Sequence, residues 1–220
     1  MMNNARVFEN ENLLSFKNST LKLLNSCSAF DDERVINSPR AVGDIVQEVI
    51  GEHLDELFDD GLVKECNASF ARRAMADMAF SDNDNNYFVI DSKTHNTGTN
   101  FSMPNLISVE RLARFYEEDS NYFVILLVEY HTDVNGICFD QVNFAPIENF
   151  SWDCLTIGAL GWGQLQIANA NFIKIDRKIT RKEWMLSLCD RLDEFYPKEI
   201  GKIEKRISRF KKVREFWENK

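Results

Sequence analysis

The sequence has no apolar run long enough to cross a membrane and no cysteine pattern of a metal knot or disulfide framework. No stretch approaches the roughly 18 consecutive apolar residues that a membrane-spanning helix requires. The first residues show no basic segment followed by an apolar run, so we expect no secretory leader. The five cysteines are scattered and form no C-x-x-C pair, which is typical of reduced thiols. These absences predict a cytoplasmic protein that does not contact a membrane.

The sequence motifs of several common enzyme classes are also missing. There is no G-x-x-x-x-G-K-[ST], G-x-G-x-x-G or G-x-S-x-G, which disfavours the usual nucleotide-binding and serine-hydrolase sites. Only three histidines occur, far apart in the chain, so a histidine-based metal site is not expected. Residues 82–86 begin like a calcium-binding EF-hand loop, but Tyr87 and Lys93 occupy the positions that need glycine and a bidentate glutamate.

What the chain does contain is enough apolar bulk for one globular domain. Its 220 residues are 44% hydrophobic and include 17 Phe and 4 Trp, a composition that argues against disorder. The net charge of −9 is unevenly distributed, because residues 174–220 carry 15 basic and 9 acidic side chains and the rest of the chain carries a net charge of −15. The basic segment is either a salt-bridged, solvated helix face or a surface that contacts phosphates.

Hydrophobic periodicity predicts an α/β fold, a single domain with a central mixed β-sheet flanked by helices and with helices at the C-terminal end. Ser38 and Pro39 form a helix start signal, and Thr180 with Glu183 forms a capping box. Pro197 is expected to interrupt the helix that begins at the capping box. We expect four regions in chain order, namely an N-terminal helical arm (residues 1–37), a helix before the core (38–61), the sheet region (72–175) and the C-terminal helices (180–217).

Within the sheet region, two short apolar segments at residues 75–80 and 87–93 flank the polar turn-formers 81–86 and predict a β-hairpin. The continuous apolar run at residues 121–130 predicts a strand covered on both faces. Asn135 and Gly136 then turn the chain into a further strand. Phe88, Tyr122 and Phe123 lie in these apolar runs, so we expect them in the core and not stacked on bases. This further strand is expected at about residues 137–144, and two more elements are expected, a helix at about 108–118 and a strand at about 164–175.

The residues with the most chemical information lie on the predicted hairpin. Side chains alternate between the two faces of a strand, so Asp91 and Lys93 project to the same side. Asp77 lies on the partner strand, where the length of the hairpin lets it oppose Asp91. Burial of two carboxylates and one ammonium group is costly unless they pair or bind a cation. The constellation therefore favours a chemical role over a role in the core.

These residue types suit metal-assisted hydrolysis of a phosphodiester. Two carboxylates and a backbone carbonyl are suitable ligands for Mg²⁺, which takes waters and phosphate oxygens as its other ligands. Bound Mg²⁺ would polarise the phosphate, lower the pKa of a bound water and stabilise the leaving alkoxide. Lys93 would orient or deprotonate the attacking water, and no covalent intermediate is needed.

The pattern Asp77, thirteen residues, then Asp91-Ser92-Lys93 resembles the PD-(D/E)XK nuclease superfamily, with Ala76 in place of the nominal proline. The stretch DSKTHNTGTNFSMPNLIS, which precedes a predicted helix, is similar to the region after the catalytic strand of HincII-type restriction endonucleases. GWGQLQIANANF followed by ITRKEWMLSL resembles the late strand and C-terminal helix of that group. The resemblance covers about residues 72–210 in the same order, whereas the N-terminal third matches only in helical character.

The resemblance implies a type II restriction endonuclease from a bacterial or archaeal cytoplasm, in which a homodimer cuts both strands of a short, near-palindromic site in double-stranded DNA. Asp77, Asp91 and Lys93 would be the catalytic residues. Asp77 and Asp91 would also bind the metal ion, with the Ser92 carbonyl as a third ligand. Mg²⁺ is the expected cofactor, Mn²⁺ is expected to replace it, and Ca²⁺ is expected to support DNA binding without cleavage. A cognate DNA methyltransferase is expected in the same system, without implied direct contact.

Many members of this superfamily add an acidic residue from the helix that precedes the hairpin. Glu48 is our first choice for this additional metal ligand, followed by Asp44 and Glu52. An exposed position on a helix explains Glu48 equally well, so both interpretations stay open.

Contacts with DNA are expected from the loop after Lys93 and from the late strand, because Asn and Gln can read adenine bidentately and hydroxyl groups can contact phosphates. Ordinary loop roles remain the alternative for each loop residue taken singly. The segment IGALGWG departs from the relatives, as do Ser102 and Met103, so the resemblance transfers no recognition sequence. Glycines at 158, 161 and 163 would permit close backbone approach. The candidate DNA-binding residues are His95, Asn96, Thr97, Asn100, Ser102, Gln164 and Gln166.

Three alternatives to a restriction enzyme stay open at this point. The first is a repair, resolvase or transposition nuclease built on the same core. The second is a DNA-binding module without catalysis. The third is an α/β protein in which the cluster of two aspartates and one lysine is a structural ion pair.

Overall fold

The computed structural model describes residues 5–59, 61–66, 77–134 and 136–220 and has an α/β fold. Residues 72–76 of the predicted sheet region, with Ala76, and the turn residue Asn135 lie outside the described residues. The helices are α1 (Asn10–Asn25), α2 (Glu33–Ile36), α3 (Pro39–Glu52), α4 (Val109–Phe115) and α5 (Arg181–Glu218). The strands are β1 (Val63–Cys66), β2 (Met78–Asp82), β3 (Tyr87–Asn96), β4 (Asn105–Ser108), β5 (Asn121–Asp133), β6 (Gly136–Pro146), β7 (Leu155–Gly158) and β8 (Gln164–Ile167).

The central sheet has the strand order β1-β2-β3-β5-β6 and is mixed, as the sequence predicts. β3 and β5 are parallel, and the other neighbouring strands are antiparallel. Helix α4 lies in the connection between the two parallel strands, as such a crossover requires. A second sheet, which the sequence pattern did not predict, has the order β4-β8-β7.

The β2–β3 hairpin closes through one buried carboxylate. Asp82 is only 3% exposed and accepts hydrogen bonds from the backbone N–H of Asp84 and from both the backbone and the side chain of Asn86. Asn85 adopts a positive φ of 60°, a conformation that Asn tolerates better than most residues. The turn-formers therefore fix the register in which Met78 opposes Ile90.

The main core lies between the central sheet and the N-terminal helices. Helix α1 packs on β6, and α3 packs on β3. Phe88 stacks between Phe80 and Tyr122, with ring centroids 4.4 and 5.1 Å apart. Phe123 is also fully buried, so Phe88, Tyr122 and Phe123 are core residues, as predicted. Residues of α1 such as Phe16 belong to the same core, so the predicted N-terminal helical region packs on the sheet.

Several predicted element boundaries are wrong. Helix α3 begins at Pro39, after the Ser38 cap, as predicted, but ends at Glu52 and not near residue 61. Leu54 and Leu57, which continue the helical apolar spacing, are buried in turns after the helix, as is the nearby Phe58. Phe58 stacks on Phe16 with ring centroids 4.6 Å apart. Apolar spacing that suits a helix can thus serve packing without continuing the helix.

The expected break at Pro197 is also wrong. Helix α5 begins with the predicted capping box, in which Thr180 and Glu183 exchange hydrogen bonds, and it then continues through Pro197 to Glu218. Proline removes one backbone donor and crowds the preceding turn, but the long helical segments on both sides outweigh this local cost. The late strand is shorter than predicted, because β8 ends at Ile167 and turns follow.

The chain divides into two compact units, Met1–Asp176 and Arg177–Lys220. The first unit contains both sheets and all of the predicted site residues, and the second contains α5. No helix in the described part of the chain is long and apolar enough to cross a membrane.

Candidate active site

The structure brings together the two aspartates and the lysine of the predicted constellation. The backbone N–H of Asp77 donates to the Ile90 carbonyl at 3.0 Å, which continues the β2–β3 register and sets Asp77 opposite Asp91. The Asp77 carboxylate accepts the backbone N–H of Ser92 at 2.8 Å. Lys93 donates to Asp91 at 2.7 Å, so both side chains lie on the same face of β3, as predicted.

Asp91 is the most unusual group of this cluster, because its side chain is buried and only half satisfied. The residue is 6% exposed, and its Oδ2 atom has no hydrogen-bond partner among the described residues. The pKa of the Asp91 carboxyl is raised to about 7, mainly by burial and to a smaller extent by the nearby Asp77 carboxylate, against the opposing charge and hydrogen bond of Lys93. An orphaned buried carboxylate oxygen is costly. A bound cation would relieve that cost.

The donor atoms around Asp91 suit a hard divalent cation. Oδ2 of Asp91 lacks a partner among the described residues, and Asp77 uses one carboxylate oxygen for the Ser92 amide. The Ser92 carbonyl accepts a 3.3 Å hydrogen bond from Lys93, so this third proposed ligand also lies at the cluster. All three donors are oxygen atoms, which matches the preference of Mg²⁺. The residues present therefore fit the cofactor that the sequence predicts.

Asp77 also borders a cleft of about 840 Å³ whose other wall is formed by α3. The three acidic residues predicted as additional ligands, Glu48, Asp44 and Glu52, all line this cleft. Each of them is exposed, so the structure gives them access to a ligand without fixing their side chains. Their positions are consistent with the prediction for Glu48 but do not distinguish it from its two neighbours.

The cleft contains one thiol among its described lining residues, and it is not activated. Desolvation and, to a smaller extent, the charge of Asp55 raise the pKa of the Cys66 thiol to about 11. The thiolate is the reactive form of cysteine, so Cys66 is a poor nucleophile at neutral pH.

His95, which was predicted to contact DNA, is 2% exposed and anchors the loop that follows β3. Its Nε2 atom lies 2.9 Å from Oδ1 of Asn171. The side-chain amide of Asn171 in turn donates to the carbonyl groups of Thr99 and Asn100. In the structure His95 therefore positions the loop that carries the other candidate residues, and a direct contact with DNA stays a prediction.

The remaining loop candidates differ in how much surface they present. Thr97 and Asn100 are exposed, whereas Asn96 and Ser102 are half-buried. The Asn96 side chain accepts the backbone N–H of Gly98, and the Ser102 carbonyl accepts the backbone N–H of Ala170. The loop is thus tied to the segment after β8 at several points, which reduces the number of conformations that it can adopt.

The second sheet brings the two predicted DNA-reading segments side by side. β4, which continues the loop after Lys93, pairs with β8, which carries Gln164 and Gln166. Both glutamines lie on the half-buried face of β8, opposite the buried Leu165, as their spacing predicts. The Gln166 side chain donates to Oδ1 of Asn105 at 2.6 Å, and these two residues are 61 positions apart in the chain. Distant segments therefore form one surface.

Steric crowding explains the presence of glycine at one position of this surface, Gly158. An added Cβ atom at Gly158 would lie 2.3 Å from Oε1 of Gln166, so glycine allows the Gln166 side chain to lie across β7. Gly161 and Gly163 have φ values of 59° and 123° and shape the turn between β7 and β8. The close approach that the structure shows at Gly158 is by the Gln166 side chain, and approach of DNA to the backbone at these glycines stays a prediction.

Two residues of this region were missed by the sequence analysis. Asn171 joins His95 to the loop backbone, and Asn105 holds Gln166. Both lie in segments rich in Asn, and one Asn among several gives no local signal of a long-range contact. Only the pairing of β4 with β8 reveals their positions.

A second group of metal-ligand side chains lies on the β5–β6 hairpin. His131 opposes Cys138 in the register, and its Nδ1 atom lies 2.7 Å from Oδ2 of Asp140. One potential ligand atom from each residue lies within 4.8 Å of the others. The hydrogen bond and the charge of Asp140 raise the pKa of His131. Together the three residues offer nitrogen, sulfur and oxygen donors, a set that suits Zn²⁺ better than Mg²⁺.

Comparison with known proteins adds no assignment. No protein-family model matches the sequence, and no curated protein matches it significantly. The resemblance to PD-(D/E)XK nucleases therefore depends on the motif residues and on the geometry described above.

Proposed function

We propose that this protein is a Mg²⁺-dependent DNA endonuclease of the type II restriction class, which hydrolyses phosphodiester bonds by direct attack of water. The observation that carries the proposal is the convergence of Asp77, Asp91 and Lys93, with one buried oxygen of Asp91 left without a partner among the described residues. A structural ion pair explains the contact between Lys93 and Asp91. It does not explain the second aspartate beside them or the orphaned oxygen.

Each residue has a distinct role in the proposed reaction. Asp77, Asp91 and the Ser92 carbonyl would hold Mg²⁺, with Glu48 as the first candidate for a further ligand from the cleft. The bound ion would supply charge neutralisation at the phosphate and at the leaving alkoxide. Lys93 is 22% exposed in its side chain, so its ammonium group can reach a water or a phosphate oxygen at the surface. Its donation to Asp91 and to the Ser92 carbonyl holds it beside the proposed ligands.

DNA recognition would come from the joined surface of the loop after β3 and the second sheet. Asn and Gln amides can form paired hydrogen bonds with adenine, and hydroxyl groups can contact phosphates. Thr97, Asn100 and Gln164 present such groups at this surface. We further propose that a homodimer acts on a near-palindromic duplex in a bacterial or archaeal cytoplasm, where a cognate methyltransferase would protect the host DNA.

The test is incubation of the full chain with plasmid DNA and Mg²⁺, with EDTA as the control. Restriction predicts discrete fragments that EDTA abolishes, and sequencing of their ends gives both the site and the stagger. Smeared products or cuts at DNA structures would replace this proposal with a repair or resolvase nuclease. Gel retention without cleavage would indicate a DNA-binding module. No effect on DNA would indicate that the cluster of Asp77, Asp91 and Lys93 is a structural ion pair.

A further inference from the structure

Helix α5 displays a row of large apolar side chains on its surface. Residues 202–220 are all exposed, yet they include Ile203 at 44%, Ile207 at 53%, Phe210 at 64% and Trp217 at 62% exposure. Soluble proteins rarely leave contiguous apolar surface of this kind uncovered, and such surface marks an interaction site.

The spacing of these residues is that of a coiled-coil seam. With Ile200 at position a of a heptad, Ile203 falls at d, Ile207 at a and Phe210 at d. Tyr196 and Trp217 extend the d positions at both ends. From Ile200 to Trp217 the seam is about 26 Å long. From Ile200 to Phe210 every exposed large apolar residue falls at a or d, whereas further along Val213 and Phe216 fall at g and c. A core-facing surface helix usually shows a wider stripe, so the narrow row at residues 200–210 is typical of a helix that pairs with another helix.

The charges beside the seam decide which partner and which direction fit. In a parallel pair of identical chains, position g faces position e of the next heptad. Glu199 would then face Glu204, and Arg206 would face Lys211, so both contacts would oppose like charges. The pattern therefore disfavours a parallel pair of this helix.

An antiparallel pair of identical helices is complementary in one register. When Ile207 of one copy packs against Phe210 of the other, Glu204 faces Lys211 and Glu199 faces Lys220. Neither Glu204 nor Lys211 has an ion-pair partner within the described part of its own chain. A shift of this pairing by one heptad, which packs Ile207 against Ile203, would set Glu204 against itself and Arg206 against itself. Charge thus selects a single register.

One polar residue occupies the seam and is compatible with this arrangement. Arg214 falls at position a and would lie against Ile203 of the second copy. Its guanidinium group pairs with Glu218 at 2.9 Å on the same helix. Its aliphatic stem can therefore cover an isoleucine while the charge stays at the edge of the seam.

We propose that α5 pairs with α5 of a second copy of this chain as an antiparallel coiled coil centred on the contact between Ile207 and Phe210. This proposal does not depend on the nuclease function. It would hold for any activity of the first unit, and it assigns a surface to the dimerisation that was expected only from the resemblance.

The first test is the mass of the full chain by sedimentation velocity over a range of concentrations. We expect a species of twice the 25.6 kDa chain mass. The I207E/F210E variant sets carboxylates against one another at the centre of the seam and should weaken dimerisation at least tenfold. S208E/K212E adds acidic residues on the outward face and should leave dimerisation unchanged. A monomeric wild-type chain, or a dimer that persists in I207E/F210E, would overturn the proposal.

The second test fixes the direction of the pair with exposed substitutions that leave the apolar seam intact. In the antiparallel register, Glu204→Lys and Lys211→Glu should each weaken the dimer, and the double exchange should restore it. In a parallel pair, Glu204→Lys would instead strengthen the dimer, because the new lysine would face Glu199. A stronger dimer with Glu204→Lys, or no recovery in the double exchange, would overturn the antiparallel arrangement.

Discussion

At the scale of single residues, the site depends on a carboxyl that is expensive to ionise where it lies. The raised pKa of Asp91, about 7 against a usual 3.8, means that the folded protein holds the Asp91 proton more tightly than the unfolded chain does. Well below pH 3.8 both states are protonated and the site has no ionisation cost. As pH rises from about 4 to 7 the unfolded chain ionises first, so folding stability falls.

We therefore predict that the metal-free protein loses stability between pH 4 and 7, by roughly 4 kcal/mol at most from this one group. Asp91→Asn should flatten this part of the pH profile, whereas Asp84→Asn, at an exposed position in the turn of the same hairpin, should leave it unchanged. Urea unfolding in EDTA at several pH values measures the effect. A wild-type slope retained in Asp91→Asn would contradict the burial argument, and failure of Mg²⁺ to restore stability at pH 8 would count against Asp91 as a ligand.

The structure confirms those residue-scale predictions that depend on geometry within one strand or one hairpin. The common face of Asp91 and Lys93 follows from strand alternation, and the position of Asp77 follows from hairpin length. The role of His95 depends on Asn171, 76 residues away in the chain. No spacing rule connects those two positions, so the sequence pattern placed His95 among the DNA contacts with no sign that it is buried.

At the scale of secondary-structure elements, the surface that joins β4 and β8 is the feature that sequence alone did not reveal. Neither strand exceeds four residues, and short strands carry too few alternations to be recognised. The long strands β3 and β5 were recognised because each contains a continuous apolar run and turn-forming residues mark one of its ends. The end of α3 was misplaced because Leu54 and Leu57 keep a helical spacing while they pack from turns.

The glutamines of β8 provide a test at this scale. Gln164→Ala should reduce the preference for the cognate site over other DNA by about 1–3 kcal/mol if its amide reads a base, while affinity for non-specific DNA stays the same. Gln141→Ala, at an exposed position on β6, is the matched control. Competition binding in Ca²⁺ gives both affinities. An equal loss for specific and non-specific DNA would assign Gln164 to the phosphate backbone.

At the scale of the whole molecule, the charge asymmetry has a partial structural explanation. On α5, Lys202 pairs with Glu199, and Arg214 pairs with Glu218. Lys205, Arg209 and Lys212 have no ion pair within the described residues. The salt-bridged helix face, one of the two alternatives from the sequence, therefore describes α5 only in part, and these three cations lie outside the apolar seam.

We predict that K205Q/R209Q/K212Q makes the slope of log DNA affinity against log salt concentration less steep. The loss of two to three phosphate contacts is expected, and each contact contributes about 0.9 to this slope. These positions do not lie at the seam, so the same variant should keep the oligomeric state of the wild type, which sedimentation measures in parallel. An unchanged salt slope would indicate that this face of α5 is solvated and does not contact DNA phosphates.

The fold class could be predicted from the sequence because long-range organisation followed from local signals, namely two apolar strands, a hairpin and capped helices. The continuity of α5 could not be predicted, because the local cost of Pro197 does not show how strongly the helical segments on both sides of it are stabilised. The nuclease function stays a proposal, since its support is a short motif and the geometry of three side chains.

The measurement that tests this account most directly is single-turnover cleavage of plasmid DNA in Mg²⁺ by the wild-type chain and by Lys93→Ala. Lys22→Ala, at an exposed position on α1, is the matched control. We predict discrete cleavage by the wild type and by Lys22→Ala, and a loss of at least about 10²-fold in Lys93→Ala, with DNA binding in Ca²⁺ retained. Undiminished cleavage by Lys93→Ala, or no cleavage by the wild type, would contradict the assignment of these residues to phosphodiester hydrolysis.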